Sequence, residues 1–202
     1  MVRRKTGERK QEILQALAMM LEAPNETKIT TAALAAKLGI SEAALYRHFA
    51  SKAQMFEGLI EFIESSIFGV INRICTDEES GLIQAQNISW LLLGFAEKNP
   101  GMTRVMIGDA LINENPRLIK RMNQFFDRVE LTLRQSMRLA ATQEQYLNET
   151  SAVMRSSLLM NSLIGRMTRF VKSGFSLSPT IGMQEQTAFI LSAVGRSLSS
   201  ME

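Results

Sequence analysis

Thiol and metal chemistry are almost closed to this chain. It has one cysteine, Cys75, and one histidine, His48, in 202 residues. A lone thiol cannot close an internal disulfide, which fits a reducing compartment. His48 and Cys75 stand 27 positions apart and make neither a zinc-ligand spacing nor a convincing Cys–His nucleophile pair. Neither GxGxxG nor GxxxxGK[ST] occurs, so no phosphate-cradling loop is evident. These gaps argue against an enzyme and against a bound metal or cofactor. The longest nearly unbroken apolar run, Ile88–Ala96, falls far short of the ~20 residues a membrane span requires. The basic start, MVRRKTGERKQEILQ, has no apolar stretch behind it and does not read as a secretory signal. Four prolines suit a mostly helical chain, and 46% apolar residues suffice for a sizeable core.

The charge is unevenly spread. Residues 1–53 carry nine Lys or Arg against five acids, a net of +4, while the remainder carries −1. A localised positive field is the electrostatic footprint of a nucleic-acid binder. On that reading Arg3, Arg4, Lys5, Arg9 and Lys10 attract phosphate; the plainer reading is a solvated end.

The most informative segment is Ile29–Gly58. Thr30 or Thr31 can cap a short helix, and Gly39 supplies the positive φ of a sharp turn. Ser41 caps a second, very short helix from Glu42 to about His48, and Ser51 caps a third. Two short helices around a Gly-containing turn form a helix-turn-helix, whose second helix enters the major groove. An ordinary helical corner has the same geometry, so the side chains must decide. Leu45 and Phe49, four apart, anchor the second helix to a core. Ser41, Ala43, Ala44 and His48 are left nearest the bases, with Thr31 entering from the helix before. Tyr46, Arg47 and Lys52 supply polar tips and charge for phosphates.

The run GISEAALYRHFASKAQMF resembles the DNA-binding signature of TetR-type transcriptional regulators. The close match covers about residues 8–60, and where Ala43 and Ala44 stand the family often has Gly or Thr. The rest of the chain reads as helix after helix. Helices are expected at about Glu8–Ala23, Ser51–Cys75, Leu82–Lys98, a shorter one to Ile112, Pro116–Ala141, Glu144–Lys172 and Thr180–Leu198, with no strand pattern. The expectation is an all-α, TetR-like fold of about nine helices. A three-helix head, residues 1–53, precedes a helical dimerisation and partner domain, residues 54–202. The last two long helices carry wide apolar faces with interspersed Ser and Gly. They either close the monomer core or, as the resemblance implies, build a four-helix homodimer interface. A two-fold dimer reads a palindrome with half-sites about 34 Å, or a multiple, apart. Thirteen methionines either fill the core or line a pliable cavity, and core filling is the expectation.

On a helical wheel from Phe56, residues 59, 60, 63, 67, 70, 71 and 74 form one apolar stripe. Phe62 falls about 120° away from it, beside Met55, Ser66, Gly69 and Arg73. It is either a partner anchor or packed on the next helix. The segments ITTAALAA, SEAALYRHF, MFEGLIEFIE and LLLGFAEKNPG resemble the nucleoid-occlusion members of the TetR-type family. That resemblance implies a cytoplasmic protein associated with the nucleoid, which binds chromosomal palindromes and, when DNA-bound, antagonises FtsZ polymerisation. It implies a surface for FtsZ, its C-terminal tail above all, at Phe62, Arg73, Leu91, Gly94, Lys98 and Asn99. No membrane partner and no small-molecule ligand are expected. The alternative is a ligand-responsive repressor carrying the same head.

Overall fold

The computed structural model describes residues 6–23, 29–143 and 148–192. The described residues form nine α-helices and no strand: α1 Thr6–Leu21, α2 Thr31–Lys37, α3 Glu42–Tyr46, α4 Lys52–Asp77, α5 Gly81–Lys98, α6 Pro100–Met106, α7 Pro116–Gln143, α8 Glu149–Lys172 and α9 Met183–Ser192. The all-α expectation holds. Three boundaries differ by three residues or more from the sequence reading, each for a local reason. The helix expected to reach Ile112 stops at Met106, because Gly108 (φ 83°) and Asn113 (φ 65°) take left-handed backbone around a single 3₁₀ turn. Helix α8 starts at Glu149 rather than Glu144. Asn148 is extended and caps it, its side chain and that of Ser151 each accepting the other's backbone N–H at 2.9 Å. Helix α9 starts after Gly182 (φ 65°), three residues late, and the expected end at Leu198 lies outside the described residues.

One continuous core runs through the molecule. In the head, Ile13 and Leu17 of α1 meet Leu34, Leu45, Phe49 and Met55. In the body, Ile60, Ile63, Ile67 and Ile71 of α4 line up at helical spacing against Ile88 and Leu92 of α5 and Phe125, Val129 and Leu133 of α7, all essentially solvent-free. Seven methionines (Met20, Met55, Met106, Met122, Met137, Met160, Met167) are buried among them, so core filling accounts for about half of the thirteen. Met55, expected beside Phe62, belongs to this core.

Beyond the shared core, in which α1 also packs on α4, two features tie the head to the body. Gly101 of α6 meets α1 so closely that a Cβ there would lie 2.1 Å from the Ala18 carbonyl oxygen. From the next turn of α6, Arg104 donates Nη1 to the Leu21 carbonyl at 3.1 Å, near the open C-terminal end of α1, and its Nε holds Asp109 at 2.6 Å. The second is the Lys52–Glu114 ion pair, the first rung of a ladder along α4 whose other two rungs, Glu57 with Arg117 at 2.8 Å and Glu64 with Arg121 at 2.6 Å, hold α4 to α7 within the body. The Glu64 hydrogen bonds hold the Arg121 guanidinium above its ordinary pKa. The α1–α6 seat tolerates no side chain, because the obstacle is backbone. Gly101→Ala should cost about 3 kcal/mol, the upper part of the range for overpacking, read as a lowered denaturant midpoint. An unchanged midpoint would show that α1 and α6 can part freely.

Candidate nucleic-acid interface

Each turn of the head is built from its own short-range bonds. The Ala33 N–H donates to Thr30 Oγ1 at 3.1 Å and opens α2. At its other end Gly39 (φ 63°) lets the Gly39 and Ile40 amides reach back to the Ala36 and Ala35 carbonyls, both at 3.0 Å. The chain then turns into α3, where the Ala44 N–H donates to Ser41 Oγ at 3.2 Å. Leu45 is fully buried and Phe49 nearly so, and together they press α3 onto the head. Ser51 caps α4 in the same way, accepting the Gln54 N–H at 3.2 Å.

With Leu45 turned inward, the opposite side of α3 faces outward. Ser41, Ala43, Tyr46 and Arg47 are exposed; Thr31, Ala44 and His48 are half-buried at its margin. These seven expected residues therefore lie on or beside one short helix. Thr31 Oγ1 donates to Glu42 Oε2 at 2.7 Å and accepts from Tyr46 OH at 3.4 Å. Glu42, absent from the expected set, thus locks α3 against α2 and orients Tyr46. Its first-turn position in α3 was visible in the sequence; its partner across the turn was not. His48 has a buried Nδ1 with no protein hydrogen-bond partner. Around this face, Lys37 and Arg47 are exposed, and Lys10 lies over the Phe49 ring, 5.5 Å from its centroid. Arg9 pairs with Glu12. Arg3, Arg4 and Lys5 lie outside the described residues.

Lys52, the eighth expected residue, is placed differently. Its ammonium is held by Glu114, from the segment before α7, and lies 5.6 Å from the Phe56 ring centroid. It is half-buried and points to the body.

The expected partner residues lie farther along α4 and on α5. Helices α4 and α5 pack as neighbours joined by three residues, 78–80, so they run antiparallel. Arg73 shares a shallow depression with Asn87 of α5. At equal rise per residue, Phe62 of α4 then falls opposite Lys98, with Gly69 opposite Leu91 between them. Phe62 is 49% exposed, so it is not buried against the next helix. It lines a small hollow of about 150 Å³ with Gln11, Leu14 and Gln15 of α1 and Met102 of α6. Gly69 and Gly94 face open space, which makes a low floor between the two ends. Asn99 instead turns its amide back on the Phe95 carbonyl at 2.8 Å, closing the C-terminus of α5. Sequence reasoning missed Gln11, Gln15 and Met102, since only the packing of α1 and α6 on α4 brings them in, whereas Gly69 stands beside Phe62 on α4 as the wheel indicates. Among the described residues no cluster of His, Cys, Asp and Glu could hold a metal, and no helix is long and apolar enough to cross a membrane.

The head and the helical body define a helix-turn-helix, DNA-binding regulator of the TetR type, not an enzyme. Residues 13–59 match the model of bacterial regulatory proteins of the tetR family, and residues 79–194 match the SlmA-like model of the tetracyclin repressor-like C-terminal domain. The chain is 48% identical over 182 residues to the nucleoid occlusion factor SlmA of Shewanella pealeana, covering 90% of this chain and 92% of that one. It is 50% identical over 172 residues to the protein of the same name from Idiomarina loihiensis, covering 85% and 88%. It therefore belongs to the SlmA family of nucleoid occlusion factors. A solved TetR transcription regulator from Haloarcula marismortui shares the fold, with a TM-score of 0.76 at 16% identity over 93% of this chain and 98% of that one. Regulators of this type bind DNA and work as dimers.

The cap at Ser41 sets where α3 begins. Ser41→Ala should cost about 1 kcal/mol in unfolding free energy and weaken binding to every duplex tested. Full stability in chemical denaturation would show that α3 is placed by Leu45 and Phe49 alone.

Proposed function

We propose that the protein binds palindromic chromosomal duplex as a homodimer and, in that state, antagonises FtsZ polymerisation, keeping the division septum off the nucleoid. The observation that carries this reading is an exposed aromatic side chain, Phe62, on the helix that begins in the DNA-reading head. Ser41, Ala43, Ala44 and His48 are the side chains nearest the bases, with Thr31 at their edge. Tyr46, Arg47, Lys52 and the N-terminal cations serve the phosphates. The FtsZ surface follows α4 and α5, with Phe62 and Leu91 as apolar contacts, Gly94 in the floor, and Lys98 and Arg73 as cations at opposite ends. An extended segment with an apolar residue and acidic neighbours suits such a strip, and the C-terminal tail of FtsZ is the part we assign to it. Asn99 acts by ending α5 beside Lys98.

Dimerisation is supported by apolar side chains on α8, α9 and the loop between them. Met154, Leu158, Leu177, Ile181 and Phe189 are 51–76% exposed. Apolar side chains left exposed along two packed helices and their connection mark an interaction surface. Two copies joined there present two α3 helices to one face of a duplex, and a nucleoid-bound location in the cytoplasm follows from that activity.

Phe62→Ala separates the two activities. The variant should bind a selected palindromic duplex within about twofold of wild type and lose inhibition of FtsZ assembly in light scattering, as expected for an interface anchor. Undiminished inhibition at equal concentration would refute the assigned partner surface.

A further inference from the structure

We propose that Glu114 holds the place of a DNA phosphate at Lys52, so that duplex binding exchanges one anion for another and releases the head's ionic tie to the body. The proposal rests on reading Lys52 as a phosphate contact. Lys52 is the first residue of α4. A cation there sits at the positive end of the helix dipole, where an anion is favoured. The structure supplies that anion from 62 residues away: the Glu114 carboxylate pairs with the Lys52 ammonium. Both side chains are largely covered, 22% and 16% exposed. Of the other carboxylates along this seam, Glu57 pairs with Arg117, Glu64 pairs with Arg121, and Glu61 acts on Arg121 as well. Glu114 is thus the group that competes with phosphate for Lys52.

The consequence concerns affinity and connection together. A phosphate arriving at α4 must displace Glu114 or sit beside it, and either way the carboxylate opposes binding. The other two rungs, Glu57–Arg117 and Glu64–Arg121, keep α4 on α7 when the first opens. The change is therefore confined to the end of α4 that carries the head.

The test is a double-mutant cycle on a duplex selected from a random pool by the wild-type protein, followed by fluorescence anisotropy against salt. Glu114→Gln should tighten binding by about threefold per protomer, about tenfold for a dimer, as removal of a modest ion pair predicts. Lys52→Ala should weaken binding and flatten the salt slope by ~0.9 per protomer. In the Lys52→Ala background, Glu114→Gln should change affinity by less than about twofold, because its action passes through Lys52. Glu114→Ser serves as a second substitution of the same sign. The exchange is overturned if Glu114→Gln and Glu114→Ser leave affinity unchanged or lower it. It is also overturned if the gain is as large without Lys52, which would make Glu114 a general repulsive charge while Lys52 keeps its phosphate. An unaltered salt slope in Lys52→Ala would instead remove the phosphate reading itself, and the exchange with it.

Discussion

Helix α4 has to serve two regions at once, and the burial of one ridge of isoleucines is what permits it. Ile60, Ile63, Ile67 and Ile71 are sealed against α5 and α7. With 26 residues the helix spans roughly 39 Å at 1.5 Å per residue, enough to start beside the reading helix and end at the far side of the body. Each isoleucine contributes on the order of 2 kcal/mol of apolar burial, so the helix cannot roll without exposing several at once. That fixed rotation decides everything presented on its other faces. It keeps Phe62 outward, sends Glu57 and Glu64 toward α7, and leaves Lys52 where Glu114 can reach it.

The head needs a different kind of rigidity. Five residues of α3 are too few to be helical alone, since nucleation outweighs so short a run. Caps at Ser41 and Ser51, the positive φ of Gly39 and the buried Leu45 and Phe49 hold it. The Thr31–Glu42–Tyr46 bonds add a brace across the turn. A reading surface ordered before it meets DNA loses little conformational entropy on binding. The acid in that brace costs little electrostatically, because it is bonded to Thr31 and lies in the first turn of α3, where a negative charge is favoured.

Legibility in the sequence follows the range of the interaction. The head was readable almost residue by residue, because its caps, its glycine and the i, i+4 pair of Leu45 and Phe49 all act within five positions. The stripe on α4 was readable for the same reason, and Phe62 lies outside it as the wheel indicates. The Lys52–Glu114 pair and the meeting of Gly101 with Ala18 span 62 and 83 positions. No local period encodes them. The misplaced starts of α8 and α9 have a third origin. Periodicity carries on through residues that favour helix, while Asn148 and Gly182 end it by backbone geometry that a hydrophobic pattern does not register.

Placing both binding regions on one rigid helix has a thermodynamic consequence. If a bound duplex alters the affinity of the α4–α5 strip for its partner, the partner must alter the affinity for duplex by the same factor. Such coupling needs a difference in structure or mobility between the two states, and a helix pinned by four buried isoleucines offers little of either along most of its length. The freedom lies at its ends. At the N-terminal end the head is held by the packing of α1 on α4, the close α1–α6 seat and one ionic tie, and Phe62 stands within the same stretch, against α1 and α6. A small shift of α1 relative to α4 therefore reshapes the hollow around Phe62 before it disturbs anything near Arg73, eleven residues farther on. Communication between duplex and partner, on this architecture, runs through the junction of α1, α4 and α6 and not through the body core.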